Sequence, residues 1–324
     1  MLALSLDPRY DPDSQKLIAT WVAQLDDQTR RLKEFVGNVA LEWQREPGCN
    51  TIGMLLAHLA VVEIWWIKIA PVFAADREKL DEFCLDLLGI RGAEDGIPLP
   101  PGGAHPQSLR HKTLPDYFAM LDRARTLTHE VLLSWRDDEL EETYTAGEHE
   151  VTKAWTLYHV LEHFACHFGQ IRTLRRDQIE EFLTRAGAWA LRRNDVIGLA
   201  LVGSHARGQA RPDSDIDLVV VAERPQNLLA NAGWVRQMGN VGSWVDAFII
   251  EPGDTGASRR KPAIEDWGRV QSVRIHYDDG PEVEFGVTGA DWALEPDEAT
   301  LDVVRAGMRI LYDRDGSLAS MLDR

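Results

Sequence analysis

Cysteine is scarce in this chain: Cys49, Cys84 and Cys166 are the three among 324 residues. Three scattered thiols do not make a disulfide framework, which excludes a stapled secreted scaffold and sets the expectation of a reducing, cytoplasmic setting. Positive charge is also short, with 35 Lys plus Arg against 52 Asp plus Glu and a formal net charge of −17. Such a surface repels polyanions, so no nucleic-acid partner is expected, and a small or basic acceptor fits better. No apolar run reads as approaching the ~20 residues of a membrane span, so no membrane partner is expected. The N-terminus MLALSLDPRYDP lacks a basic region and reaches Asp-Pro too early for a secretory signal. What remains is a 44% hydrophobic chain, long enough for two globular domains.

The first half is patterned as helices. Leu17, Ile18, Trp21, Val22, Leu25, Leu32, Phe35, Val36 and Val39 recur near helical spacing from Ser14 onward, until Pro47-Gly48 breaks the pattern. A second helix is expected from the candidate caps Asn50-Thr51 toward Pro71. A polar, Pro/Gly-rich connection is expected to follow, including residues 89–107, and it is long for a bundle loop. Further helices are expected over Leu114–Trp135 and from near Thr152 through AWTLYHVLEHFACHFGQIRTLRR. Four such segments imply an antiparallel four-helix bundle over residues 1–176. A new amphipathic helix, carrying Ile179, Phe182, Leu183, Ala186, Trp189 and Ala190, then opens a second domain over 177–324.

Histidines in the bundle are spaced for chemistry. His163 and His167, four apart, share one helical face, and His58 lies mid-way along the second helix. Three imidazoles with an open position suit a divalent transition metal of the Zn, Ni, Fe or Mn type. His129, His149 and His159 read as ordinary packed or surface residues.

The second half is organised around Val196–Val221, VIGLALVGSHARGQARPDSDIDLVVV. An apolar strand, a Gly203-Ser204 turn and a second apolar strand follow one another. On that second strand Asp215 and Asp217, two apart, point to one face while Ile216 and Leu218 point to the other. Adjacent carboxylates repel unless a cation compensates, and oxygen ligands next to phosphate are how Mg²⁺ is usually held. The Gly-Ser turn allows backbone N–H groups to approach a phosphate. Downstream, SWVDAFIIEPGD alternates as a strand, and VQSVRIHYDDGPEVEFGVT reads as a hairpin turning at Asp279-Gly280. Asp246 and Glu284 are therefore both candidates for a third carboxylate. No Lys or Arg stands in these acidic motifs, so a metal is the expected compensating charge.

Two family resemblances attach to these residues. TIGMLLAHLAVVEIWW and YHVLEHFACHFGQIR, with Glu63, Trp65, Trp66 and a Gly-Gln after the last histidine, resemble the DinB-like bundle family over about residues 10–176. That resemblance implies a divalent metal on His58, His163 and His167, and a bundle of a kind that often forms homodimers. Gly203-Ser204 followed by Asp215-Ile216-Asp217 resembles the nucleotidyltransferase superfamily. The order of strands, through EPGD, the DG hairpin and MRILYDRDG, resembles aminoglycoside 6-adenylyltransferases. It implies a small mixed-sheet, polymerase-beta-like domain with flanking helices. Asp215, Asp217 and Glu284 would hold Mg²⁺ and carry catalysis, and Asp246 would be a supporting acid. Gly203 and Ser204 would contact the triphosphate, which is expected to be ATP, and Arg207 could pair with a phosphate. The C-terminal helical domain of those adenylyltransferases has no counterpart here, so the acceptor, a small molecule or a protein, does not follow from the motif. Opposed to this reading is a DinB-like metal-dependent thiol transferase or isomerase whose second domain only senses nucleotide.

Overall fold

A computed structural model describes residues 4–37, 39–92, 103–244, 265–267, 269–277 and 280–323. It divides into two compact units, Met1–Val36 with Leu41–Arg175, and Gly37–Ala40 with Arg176–Arg324.

The first unit is helical. Lys16–Val36 buries Ile18, Trp21, Val22, Leu25, Leu32 and Val36, the stripe that the 3.6-residue period requires. Thr51 caps the next helix by accepting the Met54 N–H at 3.0 Å, and the helix runs from Ile52 to Ile64. It continues through a π turn at Trp65–Ile69 and ends after Phe73, where Ala74 and Ala75 take positive φ. The helical run Ile52–Phe73 is 22 residues and, by length and composition, apolar enough to cross a membrane; most of it is buried inside the protein, as befits a core helix. This corrects the expectation that no run approaches that length: Glu63 and Lys68 interrupt the apolar string without breaking the helix.

Glu63 is 1% exposed, and Arg125 grips it with two bonds of 2.8 and 3.0 Å while also reaching Asp26 (2.6 Å) and Thr29 (3.0 Å). Thr128 donates to Glu63 as well, at 2.6 Å. Removing one partner of such a buried network would strand the other charge, at a cost of about 3–5 kcal/mol. The third long helix, Leu114–Leu132, starts from a Thr113/Asp116 capping box.

Two features depart from the expected four-helix layout. Arg77–Leu88 is a further helix, begun by Asp76 accepting from Glu78 and Lys79 and closed by Gly89, inside what reads as a polar connection. Its Leu80, Cys84 and Leu88 are buried on a stripe too short to stand out by period alone. In addition, Lys153–Leu191 is one helix of 39 residues, where the sequence suggests two. Arg175-Arg176-Asp177 looks like a terminus, but nothing in it prevents helical φ/ψ. A hairpin of β1 (Thr143–Ala146) and β2 (His149–Thr152) precedes that helix.

The second unit is built on a mixed sheet of β3 (Val196–Leu201), β4 (Ile216–Ala222), β5 (Val241–Trp244), β6 (Glu265–Trp267), β7 (Val270–Tyr277), β8 (Glu282–Thr288) and β9 (Arg309–Asp313). The order is β5-β7-β8-β4-β3-β9, with β6 also on β7. β4 and β8 pair in parallel, and the other pairs are antiparallel. One face packs Ile216, Leu218, Val220, Val283 and Phe285 against Phe182, Trp189 and Trp234. The opposite face packs Val219 and Val221 against Trp292, Val304, Leu318 and Met321. The alternation puts Asp217 on this second face. The expected strand around Asp246 lies outside the described residues, as does Asp279.

Candidate functional site: a carboxylate trio and a histidine trio

β3 is buried at all six positions, which pins the chain that follows it. Val202 N–H donates to the Asp217 carbonyl at 2.9 Å, so the turn after β3 lies alongside the start of β4. Gly203 has φ +68°, and a Cβ there would lie 1.8 Å from Asp217 Oδ2. Glycine is demanded twice, by the left-handed backbone and by the carboxylate resting on it. Ser204 follows in a short helical turn, Gly203–Ala206, and its carbonyl accepts the Gln209 N–H at 2.9 Å.

The parallel pairing of β4 with β8 sets Asp217 directly beside Glu284. Asp215 stands just ahead of β4, and one oxygen from each of Asp215, Asp217 and Glu284 lies within 4.8 Å of the others. Burial pushes the Asp217 carboxyl up to about 6, and the neighbouring Asp215 and Glu284 charges add to the rise. Arg274 and Arg207 pull the other way. An all-oxygen donor set of three clustered carboxylates suits a hard divalent cation such as Mg²⁺.

The trio does not lack a positive neighbour, contrary to the expectation from its motifs. Arg274, across β7 from Glu284 in the register, places its guanidinium 2.6 Å from Glu284, 3.4 Å from Asp215 and 3.9 Å from Glu282. Its motif, VQSVRIHY, held the signal: Val273 and Ile275 face the core, so Arg274 must face the carboxylates. The two-residue turn expected at Asp279-Gly280 would pair Arg274 with Phe285; the observed register, shifted by one residue, pairs it with Glu284.

Beside the trio opens a cavity of about 610 Å³. Asp217, Glu284, Gly203 and Arg207 line it, together with Trp292 and Val303. Sequence reasoning identified the first four but not the apolar wall, which comes from helices after β8 with no motif of their own.

In the helical unit, His58 Nε2 lies 3.2 Å from His163 Nε2, and His167 Nε2 lies 3.0 Å from it. Two nitrogens each about 2.1 Å from one ion, at angles between square and tetrahedral, stand roughly 3.0–3.4 Å apart. Burial holds the His163 imidazole down to about 3, helped by repulsion from His167, His58 and His159. It is therefore neutral and has a lone pair to give at neutral pH. Gln170 Oε1 sits 2.8 Å from His167 Nδ1, so an Nδ1–H donated there leaves Nε2 as the donor atom toward its neighbours. That gives the Gly-Gln after the last histidine a physical role. The residues fit a borderline transition metal. His159 is stacked on Trp155 with ring centroids 4.7 Å apart, and Trp66 packs edge-on against both.

Two family models match the chain. Residues 20–179 match mycothiol-S-transferase, and residues 188–277 match the nucleotidyltransferase domain. The first span contains all three histidines; the second contains Gly203, Ser204, Asp215 and Asp217 and stops short of Glu284. No curated protein matches the chain. The chain is thus a fusion of a DinB-like domain of the mycothiol-S-transferase kind with a nucleotidyltransferase domain.

Proposed function

We propose that this two-domain fusion is a Mg²⁺-dependent nucleotidyltransferase. It transfers a nucleoside monophosphate from a triphosphate, with ATP the expected donor, to a small-molecule or protein hydroxyl and releases pyrophosphate. The observation that carries the reading is the meeting of Asp215, Asp217 and Glu284 within 4.8 Å of one another, beside Gly203 and a cavity. Bound Mg²⁺ would neutralise phosphate charge and favour attack at the α-phosphorus.

Asp215 and Asp217 serve as its ligands. Gly203, with no Cβ, leaves Asp217 in place and the turn open to a triphosphate. Ser204 offers a hydroxyl, and Arg207, a lining residue of the cavity, offers a cation to the phosphates. Glu284 orients the acceptor hydroxyl and takes its proton as the new oxygen–phosphorus bond forms and the bond to pyrophosphate breaks. Catalysis of this kind rests on position and charge, so few side chains are needed.

The histidine geometry favours a second activity for the bundle: metal-assisted transfer involving a small thiol of the mycothiol class. His58, His163 and His167 would hold such a metal, which would supply a site for binding and activating a thiolate.

Incubation with Mg²⁺, each nucleoside triphosphate in turn and a metabolite extract, followed by mass spectrometry, tests the first reading. A product heavier by one nucleoside monophosphate, absent with Asp217→Asn, is expected. Products unchanged by Asp217→Asn would overturn it.

A further inference from the structure

We propose that Arg274 is a resident counter-ion of the carboxylate trio that competes with the divalent metal, so that metal loading is coupled to arrival of the triphosphate. The inference rests on the trio being a metal site and adds a control over its occupancy.

Arg274 is placed by register rather than by a flexible loop: it faces Glu284 across β7 and β8. Its guanidinium reaches two of the three carboxylates, Glu284 Oε2 at 2.6 Å and Asp215 Oδ2 at 3.4 Å. Glu282, at 3.9 Å from the other terminal nitrogen, provides an alternative anchor on the same strand as Glu284. The side chain is 32% exposed, so it has room to turn.

A charge-assisted bond from guanidinium to carboxylate uses the lone pairs that a hard cation would need. An ion bound through the same oxygens would also stand close to a like charge in a partly desolvated place, where repulsion is stronger than in water. Metal alone therefore has to displace Arg274 or tolerate it. A triphosphate changes the balance, because its oxygens ligate the ion and also offer the guanidinium a new acceptor of the bidentate kind that Arg prefers. The trio is then held neutral enough to fold without metal and is released for metal when the substrate comes.

The test is thermal melting of the full chain titrated with Mg²⁺, which the histidine site does not favour. Wild type, Arg274→Gln, Arg274→Met and Arg274→Lys are compared with and without a non-hydrolysable triphosphate. The two neutral variants should reach half of the Mg²⁺-induced rise at a concentration roughly tenfold or more below that of wild type. Adding triphosphate should change their Mg²⁺ requirement far less than that of wild type. Arg274→Lys should restore the wild-type requirement, since it restores the charge. A purely structural arginine would give the reverse, with weaker Mg²⁺ binding in both neutral variants. Equal or weaker Mg²⁺ binding in Arg274→Gln and Arg274→Met, with wild type still responding, overturns this inference and leaves the metal reading standing. No response to Mg²⁺ in any of the four proteins overturns both.

Discussion

The two trios solve opposite electrostatic problems. In the helical unit three imidazoles are packed together where charge is costly, and the central one, His163, is driven down to about 3. In the sheet unit three carboxylates stand together and Asp217 is driven the other way, up to about 6. His163 escapes repulsion by becoming neutral. The carboxylates are met by Arg274, which reaches Glu284 and Asp215. The nitrogen set brings three imidazoles together, whereas the oxygen set carries a guanidinium in its own fold.

The sharpest way to break this comparison is Asp217→Asn. Removing one metal-binding charge should lower nucleotidyl transfer by roughly 10³-fold or more while leaving transition-metal content unchanged. Paired rate and metal assays check this, and loss of both at once would show that the sites are not separable. Next in size is His163→Ala, which should lower transition-metal affinity by at least ~100-fold, with Gln170→Ala following at about tenfold because it only orients His167. Metal analysis after competition with a chelator reads both. Nucleotide binding should not change.

Gly203→Ala ranks third. The left-handed backbone alone costs about 1–2 kcal/mol, and the new methyl would strike Asp217 Oδ2. Lower melting temperature together with weaker Mg²⁺ response is expected; an unchanged Mg²⁺ response would show that Asp217 simply turns away.

The smallest effect is a pH signature of metal-free protein. Asp217 titrates near 6 when folded against 3.8 as the free side chain. Its contribution to stability is full below the lower value and lost as pH rises through about 6. Metal-free Asp217→Asn should therefore be the more stable protein above pH 6, by on the order of 1 kcal/mol once partial exposure is discounted. The gap should close toward pH 4. His163 behaves in the opposite sense: its folded value near 3 lies below the ordinary 6.5. The stability that goes with it is present above 6.5 and lost as pH falls toward 3. Denaturant melts of wild type, Asp217→Asn and His163→Ala at stepped pH separate the two slopes.

How much of this could be read in the sequence follows from the geometry of each trio. His163 and His167 are four apart on one helix, a local spacing, and only His58 required a partner helix. Asp215 and Asp217 are likewise local. Glu284 needed the strand order, and it was preferred to Asp246 on family resemblance; the parallel register that puts it beside Asp217 is not visible in the motifs. Arg274 lies outside the acidic motifs, on the facing strand, and only the alternation of Val273 and Ile275 toward the core points it at the site. The Arg77–Leu88 helix was hidden by its charge, six acidic or basic residues in REKLDEFCLDLL outweighing three buried positions. The unbroken Lys153–Leu191 helix was obscured by a polar Arg-Arg-Asp patch that composition reads as a stop.

The central claim is that Asp215, Asp217 and Glu284 form one metal-dependent triphosphate site. Calorimetric titration of a non-hydrolysable ATP analogue into wild type and Asp217→Asn, with and without Mg²⁺, tests it most directly. Binding by wild type that requires Mg²⁺ and weakens at least ~tenfold in Asp217→Asn is the predicted result. Equal binding by the two proteins, or wild-type binding indifferent to Mg²⁺, would contradict it.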